Sequence, residues 1–269
     1  MEKKFIGLGI AAGVVGGLAA FVLARSQVTP AIAAAIDYEE GRSAAEALLS
    51  GEHEHGHELF SRALQANVGA GLATVGFGMV IGALFAVAFS VVWAYLGRRY
   101  PTASPRLVAL ALAGAGFVAV YLVPFLGYPA SPPGVGSGET IGDRTTAYLV
   151  LVLVSLASSI AAFVGAGRLS PRIGAFPAAV AASVGYVAAV IIALTVLPTY
   201  DETPGPLVDE LGVTVFPGFP AEVLADFRLY SMLSAAVMWI VVGAAFAMGV
   251  PRVIRDRSAV ASHVVAAAR

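Results

Sequence analysis

Residues 5–24 read FIGLGIAAGVVGGLAAFVLA. The stretch carries no charge and has the length, about 20 residues, that a helix needs to cross a hydrocarbon core of roughly 30 Å. Gly9, Gly13 and Gly17 recur within it at intervals of four. On a helix they form one stripe, where a second helix can approach closely. Gly78 and Gly82 repeat that spacing in a second apolar run, which makes the two runs candidates to pack there. The other reading is that glycine is simply common in membrane helices. A cleaved signal peptide is the alternative for the first run, with Lys3 and Lys4 ahead of it and VLA before Arg25. Its apolar length exceeds the roughly 7–15 residues of such a peptide, so we expect a retained span.

Five further runs reach spanning length, at about 68–96, 107–126, 147–166, 176–197 and 229–248. The composition agrees: 58% of residues are hydrophobic, 12% are charged, and the mean hydropathy is +0.84. Soluble domains are about a quarter charged. The fold expected is therefore an all-α membrane protein, one membrane domain over residues 1–269. It is a bundle of six transmembrane helices with an extracytoplasmic helical and irregular cap formed by outer loops 25–67, 127–146 and 198–228.

Lys and Arg orient the spans, because cytoplasmic loops carry an excess of them. The N-terminus, the 97–106 and 167–175 loops and the C-terminal tail together hold 11 basic residues, against five in the three other segments. Both termini are thus expected in the cytoplasm, with the chain in the cytoplasmic (inner) membrane. Apart from Glu2 and Asp256, every acidic residue falls in the outer segments, which makes that face attractive to cations. A net charge of −1 and the lack of a basic stripe argue against a nucleic-acid partner. No cysteine is present, so any metal must be held by nitrogen and oxygen.

Within the first outer loop a helix is expected over about 30–49, and a second from near Glu52 into the next span. The 127–146 loop, dense in Pro and Gly, reads as turn structure without a helix. In the third, Pro220 stands at a natural first helical position, with Glu222 and Asp226 one turn apart. Acids at a helix start are ordinary dipole chemistry, and these two are secondary metal candidates, as are Glu39 and Glu40.

The segment 51–60, GEHEHGHELF, holds His53, His55 and His57 interleaved with Glu52, Glu54 and Glu58. A helix would place His53 and His57 on one face, and an extended strand would align all three. Either way at least two imidazoles can meet one ion. Imidazole and carboxylate suit borderline divalent metals such as zinc, nickel, copper or cobalt. Capture requires neutral imidazole and should weaken as pH falls through roughly 6.5. The six residues are the leading metal candidates; a solvated loop with incidental histidines is the alternative. No tightly bound cofactor is expected.

The span cores contain no Asp, Glu, His, Lys or Arg of the kind that proton-coupled transporters bury. There is no GxxxxGK[ST], HExxH or GxSxG motif either, so an enzyme is not expected. A polar path would have to use Asn67, Thr74, Ser155, Ser158, Ser159, Ser183 or Thr195, or backbone carbonyls freed near Pro124 or Pro198. Such residues also serve as glue between helices.

The segments AIDYEE (35–40), HGHELFSRALQ (55–65), GFVAVYLVPFLGYPASPPGVG (116–136), GDRTTAYL (142–149) and GFPAEVLADFRLYSMLSAAVMW (218–239) resemble the CbtA family of cobalt transporter subunits. The resemblance covers nearly the whole chain, and its specific parts are the YPxxPPxxG and FPxxVLxxFRL runs. It implies uptake of cobalt across the cytoplasmic membrane, a link to cobalamin-related genes, and a small single-span partner with a histidine-rich terminus, CbtB. Carried onto this chain it marks Glu39, Glu40, His53, His55, His57, Glu58, Arg62, Tyr128, Pro129, Pro132, Arg144, Glu222, Phe227 and Arg228. It does not say which of them touch an ion. A membrane scaffold or metal-sensing component that moves nothing is the other reading of the residues.

Overall fold

A computed structural model describes residues 2–50 and 65–267 of the chain. It is an all-α membrane protein. Six of its helical segments are long and apolar enough to cross a bilayer: Lys3–Ser50, Asn67–Arg99, Pro105–Gly127, Ile141–Ile173, Ala175–Val196 and Ala221–Arg255. Each covers one of the six runs read from the sequence, the fifth stopping one residue short at Val196. The helices are α1 (Glu2–Leu23), α2 (Thr29–Ser50), α3 (Ala70–Arg99), α4 (Pro105–Phe117), α5 (Val123–Gly127), α6 (Ile141–Ile173), α7 (Ala175–Val196) and α8 (Ala221–Ala267). Two short strands, β1 (Leu207–Val208) and β2 (Thr214–Phe216), pair antiparallel in the last outer loop.

Helix runs past several of the expected boundaries, α8 included, which continues beyond 248 to Ala267. The first span does not stop at residue 24: α1 continues through a π-helical turn, Ala24–Val28, into α2. A second π-helical turn, Val118–Leu122, joins α4 to α5. Both turns end two residues before a proline, Pro30 or Pro124. Proline cannot donate to the carbonyl four residues back and its ring crowds that carbonyl. A locally widened turn lets the helix accommodate both defects without ending. The loop expected at 167–175 shrinks to a single turn residue, because α6 runs to Ile173 and α7 begins at Ala175. Gly174 between them has φ +89°, a conformation glycine adopts without a Cβ penalty. Helix α6 also starts at Ile141, six residues inside the expected loop, with Thr145 and Thr146 donating to the carbonyls of Ile141 and Gly142.

Packing divides the chain into two units. The first comprises α1 through Arg25, α3, α4 and α8 from Leu233 onward. Helices α1 and α3 cross antiparallel, with Gly9 against Gly82, Gly13 against Gly78 and Gly17 against Thr74 and Val75. A Cβ on Gly13 would collide with the Gly78 carbonyl, and one on Gly9 with the Gly82 carbonyl. This resolves the alternatives for the glycine stripe: it is a contact surface. Flanking the stripe on α1, Gly16 seats Val242 of α8, and Gly116 of α4 seats the Trp239 ring. Between them lies an aromatic core in which Phe246 meets Phe85 and Phe89 at centroid distances of 5.1 and 5.0 Å, with Phe5 at 5.8 Å from Phe89.

The second unit comprises α2, α5, α6, α7, the first turns of α8 and the two later outer loops. Helices α6 and α7 pair along their length, with Leu151, Val123 and Val190 buried and the Ser155 and Tyr186 hydroxyls 2.9 Å apart. Beside this pair the outer segments form a packed cap. Tyr38 of α2 lies between Phe216 and Phe219, its hydroxyl donating to the Pro217 carbonyl at 3.2 Å. Arg42 donates to the Gly205 carbonyl at 2.7 Å.

The glycine crossing can be tested directly. Gly13→Leu should lower the melting midpoint in mild detergent by several degrees, a cost of about 1–3 kcal/mol for an overpacked contact. Gly7→Leu on the same helix meets nothing within 4 Å and should melt like the wild type. Equal midpoints for the two variants would remove the crossing from the account of stability.

Candidate functional site

The six leading metal candidates, Glu52, His53, Glu54, His55, His57 and Glu58, lie outside the described residues, as does Arg62. The four secondary ones are placed. Glu39 and Glu40 are exposed on α2, Glu39 against the 127–146 loop where its Cβ faces Gly134. Glu222 and Asp226 are exposed on the first two turns of α8. Among the described residues no group of three or more His, Asp or Glu side chains converges as a metal would require.

What does converge is a polar centre built on Glu202, a residue the sequence reading passed over. Its carboxylate accepts from the Thr140 hydroxyl and, at 3.0 Å, from the Ser137 backbone N–H. Arg144 closes the set with an ion pair at 2.8 Å. The Glu202 carbonyl also accepts from Gly136 N–H, so one residue of the third outer loop organises the end of the second. Gly136 has φ +118°, and a Cβ there would press on the Arg144 guanidinium, so glycine is required twice over.

Arg144 and Glu202 line a cleft of about 40 Å³ together with Tyr128, Ser131, Tyr200, Asp201 and Arg228. Tyr128 donates to the Pro198 carbonyl at 2.7 Å, and its ring stands 6.2 Å from that of Tyr200. Burial, with Tyr200 nearby, pushes the Tyr128 phenol above its ordinary range. Arg228 reaches the Ala130 carbonyl at 3.4 Å. Tyr128, Arg144 and Arg228, which the family resemblance marked separately, thus meet at one place.

Several hydroxyl and amide candidates for a path are already hydrogen-bonded, within a helix or between helices. Asn67 accepts from Arg25 at 2.7 Å, Ser155 bonds Tyr186, and Thr195 donates to the Ile192 carbonyl at 2.9 Å. Ser158 borders an apolar groove of about 350 Å³ between α6 and α7.

The Thr140 hydroxyl, then the Ser137 N–H and the Arg144 charge, hold the Glu202 carboxyl below the usual carboxylate range. A lowered folded-state pKa stabilises the fold fully above the unfolded value of about 4.3, and the gain disappears as pH falls through the lower folded value. Melting curves from about pH 7 down to about pH 3 should therefore show wild type above Glu202→Gln near neutrality. The two should converge in acid. A gap that stays constant across the range would mean that the Glu202 charge contributes nothing.

No curated protein and no solved structure matches the chain. One family model does, described as "Probable cobalt transporter subunit (CbtA)", and it aligns with residues 2–250. A match over that extent, on a fold with six helices long and apolar enough to span a membrane, establishes that the chain belongs to the CbtA family.

Proposed function

We propose that this chain is the integral membrane subunit of a divalent-metal uptake system, with cobalt as the transported ion. It would sit in the cytoplasmic membrane with both termini inside. The family match over residues 2–250 carries the reading. Support for an outward-facing collecting role comes from the charge pattern, which puts nearly all the acids on one side of the spans. In this reading His53, His55, His57, Glu52, Glu54 and Glu58 capture the ion at the outer end of the second span. Glu39, Glu40, Glu222 and Asp226 raise its local concentration. The metal is cargo held by exchangeable nitrogen and oxygen ligands, and the chain catalyses no covalent chemistry. A small histidine-rich single-span subunit of the CbtB type is the partner that would complete the system.

One observation favours a second reading. The span cores carry no Asp, Glu, His, Lys or Arg to couple transport to a proton gradient. A membrane scaffold or metal-sensing component would need none.

Vesicles reconstituted with the purified chain, alone and with the small partner, separate the two readings. Cobalt flux that requires this chain is expected, and flux indifferent to it would overturn the transport reading. The triple variant His53→Ala, His55→Ala, His57→Ala should lower uptake at limiting cobalt by at least about tenfold, the equivalent of 1.4 kcal/mol of capture. Wild-type uptake should weaken as pH drops through about 6.5, because protonated imidazole has no lone pair for a metal. The triple variant should lose that pH dependence.

A further inference from the structure

Four charged residues line the cleft at Tyr128, and only two of them neutralise each other. Arg144 is committed to Glu202 at 2.8 Å, and Glu202 also accepts from Thr140 and Ser137. Arg228 has a single hydrogen bond among the described residues, from Nε to the Ala130 carbonyl at 3.4 Å, near the limit of a useful bond. Its four Nη protons face no protein acceptor there, and no carboxylate among the described residues lies within ion-pair distance. Asp201 likewise makes no ion pair among the described residues. The cleft therefore presents one guanidinium and one carboxylate that the fold does not spend on each other.

The position of the cleft narrows what could use them. Its walls come from same-side ends of successive spans: Gly127 and Tyr128 after the third, Arg144 at the start of the fourth, Tyr200 after the fifth and Arg228 at the start of the sixth. Arg228 immediately precedes the apolar run 229–248, so once that run crosses a bilayer its guanidinium stands at headgroup level. Tyr128 and Tyr200 are the aromatic pair expected at the same depth. A guanidinium fork matches phosphate oxygens in bidentate geometry, and a carboxylate is the natural partner of an ammonium group.

We propose that this cleft binds a phosphate ester bearing an amine, with the phosphate on Arg228, helped by the Ser131 hydroxyl, and the ammonium on Asp201. The phosphoethanolamine headgroup of a membrane lipid and free phosphoethanolamine share this chemistry. The room of about 40 Å³ admits the phosphate oxygens while the rest of the ligand lies along the open side. Both contacts are electrostatic at a wet surface, so affinity falls with added salt.

Thermal unfolding of the full-length protein in neutral detergent tests this with defined probes: dioctanoyl phosphatidylethanolamine, dioctanoyl phosphatidylglycerol, dioctanoyl glycerol and phosphoethanolamine. The phospholipid should raise the melting midpoint by several degrees while the diacylglycerol, which lacks the headgroup, leaves it unchanged. Protection by phosphoethanolamine at similar concentration would assign the site to the soluble compound; protection by the phospholipid alone would assign it to the bilayer. Arg228→Gln should weaken the protecting ligand's binding at least tenfold, and Asp201→Asn should reduce the preference for phosphatidylethanolamine over phosphatidylglycerol. Equal protection by diacylglycerol and phospholipid in the wild type overturns the proposal without need of any variant. Undiminished binding to Arg228→Gln overturns it as well, and an unaltered headgroup preference in Asp201→Asn overturns the ammonium contact.

Discussion

Two helices in lipid gain nothing by hiding apolar surface from each other, since the acyl chains are as apolar as leucine. What they can gain is close contact, and in the first unit that depends on backbone meeting backbone at Gly9–Gly82 and Gly13–Gly78. Dispersion falls steeply with separation, so the stripe of missing side chains converts weak contacts into many at optimal distance. The larger side chains follow from that approach. With α1 and α3 in contact, Phe5 reaches Phe89, and Phe85 and Phe89 share Phe246 as a neighbour. Gly16 and Gly116 repeat the device one layer out by making room for Val242 and Trp239.

The second unit solves a different problem. Its α6–α7 pair buries few residues and leaves large apolar side chains such as Leu153, Ile160, Val184 and Ile192 exposed, which suits contact with acyl chains. Its two later loops are rich in Pro and Gly and are largely non-helical, so side chains and carbonyls of other segments satisfy part of their backbone. Tyr38, Arg42, Tyr128 and Arg228 each donate to a carbonyl of a distant segment. Glu202 takes up donors from residues 137, 140 and 144. The cap is ordered by polar bonds between loops while the spans are ordered by apolar contact.

This division explains what could be read from the sequence. Apolar runs announce themselves locally, and all six spans were legible from run length alone. The glycine stripe was visible too, but only the structure decided that it makes contact. Helix ends were harder. The polar trio Arg25-Ser26-Gln27 ahead of Pro30 reads as a break, yet a π-helical turn carries the chain through it. Arg168 and Arg172 read as a loop, yet a helix tolerates exposed arginines and stops only at Gly174. The Glu202 centre was not legible because its partners lie 58 to 65 positions away, beyond any local pattern. Family likeness marked Arg144 and Arg228 without saying that they meet, and nothing in TYDETPGP distinguishes Glu202 from Asp201 beside it.

The distinction between those two neighbours bears on how an acidic face can handle a cation. A carboxylate offers about four lone-pair positions, and Glu202 has given three to Thr140, Ser137 and Arg144. A metal approaching it would have to displace a guanidinium at close range, so Glu202 is lost to ion binding by the same bonds that keep it ionised. Acids that remain exposed, Glu39, Glu222 and Asp226 among them, carry no such commitment. Their charge attracts cations over about a Debye length without a fixed coordination shell. Among the described residues, Glu202 thus holds loops together with its charge, while Glu39, Glu222 and Asp226 keep theirs in solvent.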